Sequence, residues 1–266
     1  MKCGNKDLLS VMIKILLGSF LLVMSACQTA RLPIVKRSEA AQGGAAFYRK
    51  AAAMGWAARD SFIIQQVREG AIPPFLKKFV RVPVVINAGK LRTRVIFFVS
   101  PDYLSIGNKG DWARVSLTAS GAASVLSFLD CFAPTPQLVD RIYQQASVKL
   151  SPVPLYAYRD STPIMWHHHL IIEGQRKQQK GLIAGIKKDI VFVNAKGDSV
   201  LTNRVGIYGW HQPDGKPIQP FYQGHAAWYT DYSHGLRLVS NNVRVKRRMI
   251  RVDRLLQDTT FRKSLF

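Results

Sequence analysis

The sequence predicts an α+β fold in which helices pack on a mainly antiparallel sheet. One observation is that helical periodicity dominates the chain soon after residue 45, whereas strand-like segments dominate its later part. Segregation of the two kinds of element along the chain is typical of α+β architectures. A second observation is a pair of β-rich segments, 80–86 and 91–99, joined by Asn87-Ala88-Gly89-Lys90. This pattern predicts a hairpin.

The individual elements follow from hydrophobic periodicity and from capping residues. Thr118 or Ser120 is a suitable N-cap for one predicted helix, and Thr135 followed by Pro136 is typical of the start of another. The predicted helical ranges are 46–70 (one helix or two), 119–129, 136–146 and 166–178. The predicted strands of the later part are 189–194, 204–210, 218–222, 235–240 and 243–245.

The first residues have the pattern of a secretory signal peptide. Lys2 and Lys6 precede a largely apolar run over residues 8–24, whose core is shorter than the ~20 apolar residues of a membrane span. The run ends in Ser25-Ala26-Cys27, which resembles a bacterial lipobox. The resemblance implies cleavage before Cys27 and lipidation of its thiol, and Gln28 implies an outer-membrane location facing the periplasm.

The 266 residues therefore divide into three predicted parts. Residues 1–26 are the lipoprotein signal peptide, residues 27–45 are a lipid-anchored tether, and residues 46–266 form a single α+β domain. Hydrophobic residues make up 47% of the chain, which is ordinary for a globular protein and excludes a wholly disordered one.

The charge balance is strongly basic. The chain carries 38 Lys and Arg residues against 16 Asp and Glu, a formal net charge of +22. A basic exported protein attracts anionic cell-wall polymers or phospholipid head groups. The basic residues are dispersed and no aromatic–basic recognition motif is present, so the sequence favours no nucleic-acid partner.

Cys131 is the remaining thiol of the predicted mature protein, because Cys3 leaves with the signal peptide and Cys27 carries lipid. An unpaired thiol outside the cytoplasm is either buried and inert or retained for its reactivity. Cys131 lies shortly before the predicted helix over 136–146, where the helix macrodipole lowers a thiol pKa. It is thus a candidate nucleophile, and the alternative is a small buried apolar residue.

A nucleophilic thiol needs a base that a third polar group orients. The segment 224–235 is the densest polar–aromatic stretch of the chain. We predict His234 as the base, with His225 as the next choice, and Asp231 or Asn241 as the orienting group. The alternative is a surface loop whose aromatic side chains pack and whose histidines only form hydrogen bonds.

Aromatic and basic side chains near these residues are the predicted substrate-binding groups: Trp210, His211, Trp228, Tyr232 and Arg204. The thiol mechanism needs no cofactor. A second interpretation is a zinc site, in which imidazole ligands leave a coordination position for water. Its candidate ligands are His167, His168, His169, His225 and His234. The alternative for the three consecutive histidines is a polar surface turn.

Three segments resemble the NlpC-type cell-wall cysteine peptidases, in the order in which that family has them. Asp130-Cys131 with residues 138–152 is similar to the family's catalytic Asp-Cys and the helix that follows. Residues 188–193 are similar to its Gly-Asp-Leu-Val-Phe-Phe strand, and residues 205–209 to its Val-Gly-Ile-Tyr strand. The resemblance implies a papain-like fold with Cys131 as the nucleophile. Arg204 occupies the position of the family's catalytic histidine, so the base would be His225 or His234.

Together these patterns predict an envelope-anchored cysteine-type hydrolase that acts on peptidoglycan peptides or related cell-wall amide bonds. Backbone N–H groups at the start of the 136–146 helix would form its oxyanion hole. Two alternatives remain open at this point. One is a zinc-dependent envelope hydrolase, and the other is a non-catalytic envelope-binding or structural lipoprotein.

The lipobox generates a first prediction. Cys27→Ala removes the thiol that would accept the lipid, so we expect the precursor to stay uncleaved at this site and to incorporate no radiolabelled lipid. Cys3→Ala is the control, because Cys3 lies within the signal peptide, and it should be processed normally. Processing and membrane association of Cys27→Ala like those of the wild type would contradict lipidation.

Overall fold

The computed structural model describes residues 30–33, 35–88, 91–191 and 204–265. Cys27 and the signal peptide lie outside these residues. The helices in chain order are α1 (Gly44–Ala51), α2 (Trp56–Arg68), α3 (Ala119–Phe128), α4 (Pro136–Gln145), α5 (Thr162–Arg176), α6 (Val252–Gln257) and α7 (Thr259–Leu265), with a 3-10 turn at Pro74–Lys77.

The strands are short apart from two hairpins. They are β1 (Val80–Ala88), β2 (Leu91–Val99), β3 (Ser105–Gly107), β4 (Trp112–Arg114), β5 (Cys131–Phe132), β6 (Val148–Lys149), β7 (Ile183–Ala184), β8 (Lys188–Ile190), β9 (Arg204–His211), β10 (Pro217–Ala226), β11 (His234–Gly235), β12 (Val239–Ser240), β13 (Asn242–Val245) and β14 (Arg248–Arg251).

Two larger sheets organise the molecule. A six-stranded sheet has the order β14-β13-β2-β12-β5, with β1 also paired to β2, and a four-stranded sheet has the order β10-β9-β8-β11. The pairs β3–β4 and β6–β7 form two small sheets. Most pairings are antiparallel, whereas β8–β11 and β6–β7 are parallel. Helices with mainly antiparallel sheets confirm the α+β class.

Local sequence signals account for several elements. β1 and β2 pair from Val80 opposite Val99, as the predicted hairpin requires. The Thr118 hydroxyl accepts a hydrogen bond from Gly121 N and caps α3, and the Thr135 hydroxyl accepts from Leu138 N and caps α4. Each cap satisfies a backbone donor that a helix start leaves free.

The structure differs from the prediction at several places, and residues 192–194 of the strand expected over 189–194 lie outside the described residues. The strand expected over 235–240 is two short strands, β11 and β12, which belong to different sheets. The helix expected from residue 166 begins at Thr162 with Pro163 in its first turn. The basic C-terminal stretch contains α6 and α7, so helices and strands interleave more than the sequence order suggested.

The folded body begins early in the chain. Arg31 forms an isolated antiparallel bridge with Lys78, and Leu32 is buried in the main hydrophobic core. The packed part of the protein therefore begins within residues 27–45, which were expected to be a tether, because Leu32 packs in the hydrophobic core. Among the described residues, no helix has both the length and the apolar character to cross a membrane.

A buried ion pair joins β4 to the loop before β3. Arg114 Nη2 and Nε donate to the two carboxylate oxygens of Asp102, at 2.6 and 2.9 Å. Arg114 Nη1 lies 2.9 Å from Glu173 Oε1 on α5. The side chains of Arg114 and Asp102 are almost completely excluded from solvent. A buried pair of this kind is costly to break, because either partner alone is a buried uncompensated charge.

This pair generates a stability prediction. Asp102→Ala leaves the Arg114 guanidinium buried with only part of its partners, so we expect the free energy of unfolding to fall by about 3 kcal/mol or more. Asp253→Ala is the matched control, since it removes an exposed carboxylate paired with Arg251 at 3.4 Å. That change should cost less than about 1 kcal/mol. Urea denaturation measures both values, and equal losses would contradict the assigned role of the buried pair.

Candidate functional site

The Asp231 carboxylate organises the turn that leads into β11. Its Oδ1 accepts hydrogen bonds from Ser233 N at 2.8 Å and from Ser233 Oγ at 2.6 Å. Its Oδ2 accepts from Arg159 Nη2 at 2.9 Å and from the Tyr229 hydroxyl at 3.2 Å. Burial alone would raise the pKa of this carboxyl, but His234, Ser233 and Arg159 together hold the pKa below its usual value. Asp231 is therefore a buried anion at neutral pH.

His234 lies next to the Asp231 carboxylate. Its side chain is fully buried, and its Nε2 is 4.0 Å from Asp231 Oδ1. Among the described residues, neither ring nitrogen has a hydrogen-bond partner. Burial lowers the pKa of His234 to about 4, so the imidazole is neutral at pH 7.

His225 connects this interior to the surface. It is half-buried near the end of β10, and its ring stacks on Tyr229 with the centroids 4.4 Å apart. The ring centroids of His225 and His234 are 5.6 Å apart. Burial also lowers the pKa of His225. Two adjacent neutral imidazoles, one half-buried and one fully buried, therefore lie beside the Asp231 anion.

Two lysines that the sequence reasoning missed complete this cluster. Lys188 pairs with His234 across the parallel strands β8 and β11, so both side chains belong to the same face of the sheet. Its ammonium lies 5.3 Å from the ring centroid of Trp210, and burial lowers its pKa. Lys187 is buried and donates a hydrogen bond to the Tyr232 carbonyl. Burial lowers the pKa of Lys187 to about 7.

We name these residues the histidine centre: Arg159, Lys187, Lys188, His225, Tyr229, Asp231 and His234. The run Lys187-Lys188-Asp189 directly before the apolar Ile190 and Val191 was a sequence signal for this cluster, since three consecutive charged residues entering a core strand are unusual. Arg159 lies in an irregular Pro-rich stretch, and no sequence pattern linked it to Asp231.

Several buried polar atoms close to the histidine centre have no hydrogen-bond partner within the part of the chain that the structure describes. Besides His234 they are both ring nitrogens of His168, Nε1 of Trp210 and Oγ1 of Thr230. The rings of His168 and Trp210 both contact Tyr232, at centroid distances of 4.9 and 6.4 Å. Unpaired polar atoms are rare in native interiors, and their clustering is typical of a place that takes up water or a ligand.

Cys131 lies elsewhere, on β5 of the six-stranded sheet, with 6% of its surface exposed. Its Sγ donates to the Leu129 carbonyl at 3.3 Å. Burial, and secondarily the charge of Asp130, raises the pKa of the thiol well above its usual value. None of the described residues lining the cleft beside it is a histidine.

Helix α3 separates Cys131 from the histidine centre. At its N-terminal end, Ser116 Oγ donates to the His234 carbonyl at 2.9 Å, and Ala119 N donates to the Ala227 carbonyl at 3.0 Å. Cys131 follows its C-terminal end, and a helix of 10 residues is about 15 Å long. The expected thiol–imidazole contact is therefore absent between Cys131 and either His225 or His234.

Asn241 lies near Asp130 and Cys131 rather than near His234. Its Nδ2 donates to Asp130 Oδ1 at 2.9 Å, and its backbone N–H donates to the Asp130 carbonyl. Asp231 thus remains close to His234, and Asn241 does not. The sequence could not distinguish the two, because the strand expected over 235–240 is broken: His234 belongs to the four-stranded sheet, and residue 241 lies between β12 and β13 of the six-stranded sheet.

The predicted substrate-binding residues have different environments. Trp210 and Tyr232 are buried, and the Tyr232 hydroxyl accepts from Leu155 N at 2.6 Å. Trp228 is exposed beside Tyr229. Arg204 is the first residue of β9 and pairs with Ala226.

His211 belongs to a separate open cleft. Its Nε2 is 2.9 Å from Asp140 Oδ1 on α4, and its ring stacks on Tyr143. The Tyr208 hydroxyl donates to the same Asp140 oxygen at 2.9 Å. The carboxylate therefore holds His211 against α4, and this cleft shares no described residue with the histidine centre.

The three consecutive histidines of α5 have different neighbours. His167 is exposed, His168 contacts Tyr232, and His169 lies 3.3 Å from Arg114 Nη1. Successive residues of a helix point in different directions, so the run does not converge on one point. Over the described ranges, no three His, Cys, Asp or Glu side chains are grouped so as to hold a metal ion.

No protein-family model, no curated protein and no solved structure matches this chain.

The buried histidines generate a pH prediction. Burial lowers the pKa of His168 and His169 to about 2 and that of His234 to about 4, against 6.5 for an unperturbed histidine. Below pH 6.5 the unfolded chain binds protons that the folded protein does not, so stability falls on acidification from pH 6.5 towards pH 4. Asp189 opposes this trend, because burial raises its pKa to about 6.

His168→Leu isolates one of these contributions. Each buried neutral histidine contributes up to about 1.4 kcal/mol per pH unit in this window, so we expect the variant to flatten the pH dependence of unfolding by about that amount. His167→Leu, at the neighbouring exposed position, is the matched control for the loss of an imidazole from α5. Urea denaturation at several pH values measures the slopes, and identical slopes for the wild type and His168→Leu would contradict a neutral buried His168.

Proposed function

We propose that the protein is a lipid-anchored hydrolase of the cell envelope that cleaves peptidoglycan peptides or related cell-wall amide bonds at the histidine centre. The observation that carries the proposal is the pair of neutral imidazoles, His225 and His234, beside the Asp231 anion and the Lys188 ammonium. Groups with strongly shifted pKa values cluster at functional sites, because burial and neighbouring charges tune them for proton transfer.

The chemistry that fits this geometry is general-base hydrolysis. His225 takes a proton from a water molecule as the water oxygen bonds to the carbonyl carbon of the substrate. The negative charge that develops on the carbonyl oxygen is stabilised by Lys188. The C–N bond then breaks as His225 returns the proton to the leaving nitrogen, which gives a carboxylic acid and an amine. Asp231 stabilises positive charge on the imidazole pair.

This proposal replaces the thiol nucleophile of the sequence interpretation. Cys131 is buried, hydrogen-bonded to a backbone carbonyl and held in its neutral form by a raised pKa. A nucleophilic cysteine requires an accessible thiolate and a base within hydrogen-bonding reach. The surroundings of Cys131 favour the alternative interpretation, a small buried side chain of the core.

A papain-like arrangement is part of the proposal. It is supported by the order of elements, in which Cys131 precedes α4 and α4 precedes the antiparallel strands β8 and β9. It is also supported by the packing of α4 on β9 through Asp140 and Tyr208. The resemblance to NlpC-type peptidases rests on the same segments.

The proposed location is the periplasmic face of the outer membrane. The lipobox-like Ser25-Ala26-Cys27 supports a lipid anchor, and the Arg31–Lys78 bridge brings the fold within four residues of Cys27. A cleft of about 450 Å³ next to Lys78 has a basic rim formed by Lys78, Lys109, Arg176 and Lys180. Such a rim fits the anionic head groups of the membrane surface, and the +22 charge of the chain fits an anionic wall.

A pair of variants tests the proposed chemistry. His225→Ala removes the base, so we expect kcat on a muropeptide panel to fall about a hundredfold or more. Cys131→Ser is the matched control and should keep wild-type kcat. Iodoacetamide and EDTA should leave activity unchanged. Product release is followed by chromatography and mass spectrometry, with melting temperatures to confirm folding.

Three results would overturn the proposal. Loss of activity in a folded Cys131→Ser variant would restore the thiol mechanism. Loss in EDTA with recovery on added zinc would support the metal-dependent alternative. A wild-type protein that cleaves no member of the panel would favour a non-catalytic envelope-binding or structural lipoprotein.

A further inference from the structure

A further cleft, distinct from those described above, adjoins the histidine centre. It has a volume of about 430 Å³ and is formed by residues 52–56, 160–162 and 228–230, with Arg59 at its base. We name it the tryptophan cleft, after Trp56 and Trp228 in its lining. Its three segments come from distant parts of the chain.

The tryptophan side chains present unusually large apolar surfaces to solvent. Trp56 is 47% exposed and Trp228 is 56% exposed, and their ring centroids are 6.2 Å apart at an angle of 33°. Exposed aromatic rings that are paired across a cleft indicate a binding surface more strongly than scattered single ones. The exposed parts of the two rings offer apolar surface to a ligand.

The base of the cleft is polar and incompletely paired. Arg59 is only 3% exposed, and its Nη1 donates to the Asp160 carbonyl at 3.0 Å and to Thr162 Oγ1 at 3.1 Å. Among the described residues, Arg59 Nε has no hydrogen-bond partner, and neither has Oγ1 of Thr230, which is 2% exposed. Buried polar groups without partners are costly. Arg59 and Thr230 both line the cleft, so a ligand whose hydroxyl or carbonyl oxygens penetrate as far as these enclosed atoms would pair with them.

The exposed tryptophan rings and the unpaired polar atoms together favour one class of ligand. We propose that the tryptophan cleft binds a neutral sugar ring of a glycan strand. A pyranose ring has an apolar C–H face that packs on an aromatic ring, and its hydroxyl groups both donate and accept hydrogen bonds. The formal charges of Arg59 and Asp160 offset each other, so the cleft does not select an anion. An entirely apolar ligand would leave Arg59 Nε and Thr230 Oγ1 unpaired.

Tyr229 connects the cleft to the histidine centre. It lines the cleft, its hydroxyl donates to Asp231, and its ring stacks on His225. A sugar in the cleft therefore lies next to the imidazole that faces solvent. In this respect the inference rests on the proposed function, because it identifies the substrate as a glycan that carries the peptide. Sugar binding itself needs no hydrolysis.

The test is a binding measurement with chitotetraose, a neutral oligosaccharide of N-acetylglucosamine. We expect the wild type to bind it with little dependence on salt concentration, since no net charge is involved. Trp228→Ala should bind about tenfold more weakly or worse. Thr230→Val, which keeps the shape of the side chain, should also weaken binding. Isothermal titration calorimetry gives the Kd values.

Two controls separate this inference from the proposed function. Phe221→Ala removes another exposed aromatic, 44% exposed on β10, and should bind like the wild type. The choice of chitotetraose is the second control, because this ligand carries no peptide and its binding is measured without the proposed hydrolysis. Absence of wild-type binding, or equal affinities for Trp228→Ala and the wild type, would overturn the sugar site whatever the outcome of the activity assay.

Discussion

The candidate site depends on one buried carboxylate. Asp231 accepts hydrogen bonds from the backbone and hydroxyl of Ser233, from Arg159 and from Tyr229, and these contacts fix the turn that delivers His234 to β11. A buried charge persists only where such donors offset its desolvation. Because Tyr229 also stacks on His225 and lines the tryptophan cleft, the same anion positions the proposed base and one wall of the sugar site.

Burial shifts the pKa values of the residues in this region. Burial of polar atoms also lowers the stability of the fold there. Neutral imidazoles beside a carboxylate can accept protons, but the ring nitrogens of His168 and His234 have no hydrogen-bond partner among the described residues. Apolar residues of similar size would pack there at lower free-energy cost. Proteins depart from such local rules mainly at functional sites, where optimal stability is given up for activity. The cluster of unpaired atoms next to Tyr232 fits this pattern.

Local sequence signals predicted local structure well and long-range assembly poorly. The caps at Thr118 and Thr135 and the hairpin of β1 and β2 depend on neighbouring residues, and the structure has them. The separation of Cys131 from His234 depends on which ends of α3 the two residues approach, and residue spacing carries no such information. The pairing of Trp56 with Trp228 joins elements far apart in sequence and was equally inaccessible to pattern analysis.

Helix α5 connects the region of the proposed anchor to the region of the candidate site. Its first residue, Thr162, lines the tryptophan cleft, and its last, Arg176, belongs to the basic rim beside Lys78. A helix of 15 residues is about 22 Å long, so the two clefts lie at opposite ends of a rigid rod. Four extended residues span at most about 14 Å, so the Arg31–Lys78 bridge would lie close to the proposed lipid on Cys27. In the proposed anchoring, the basic rim therefore lies against the membrane surface, and α5 holds the histidine centre away from it, towards the wall.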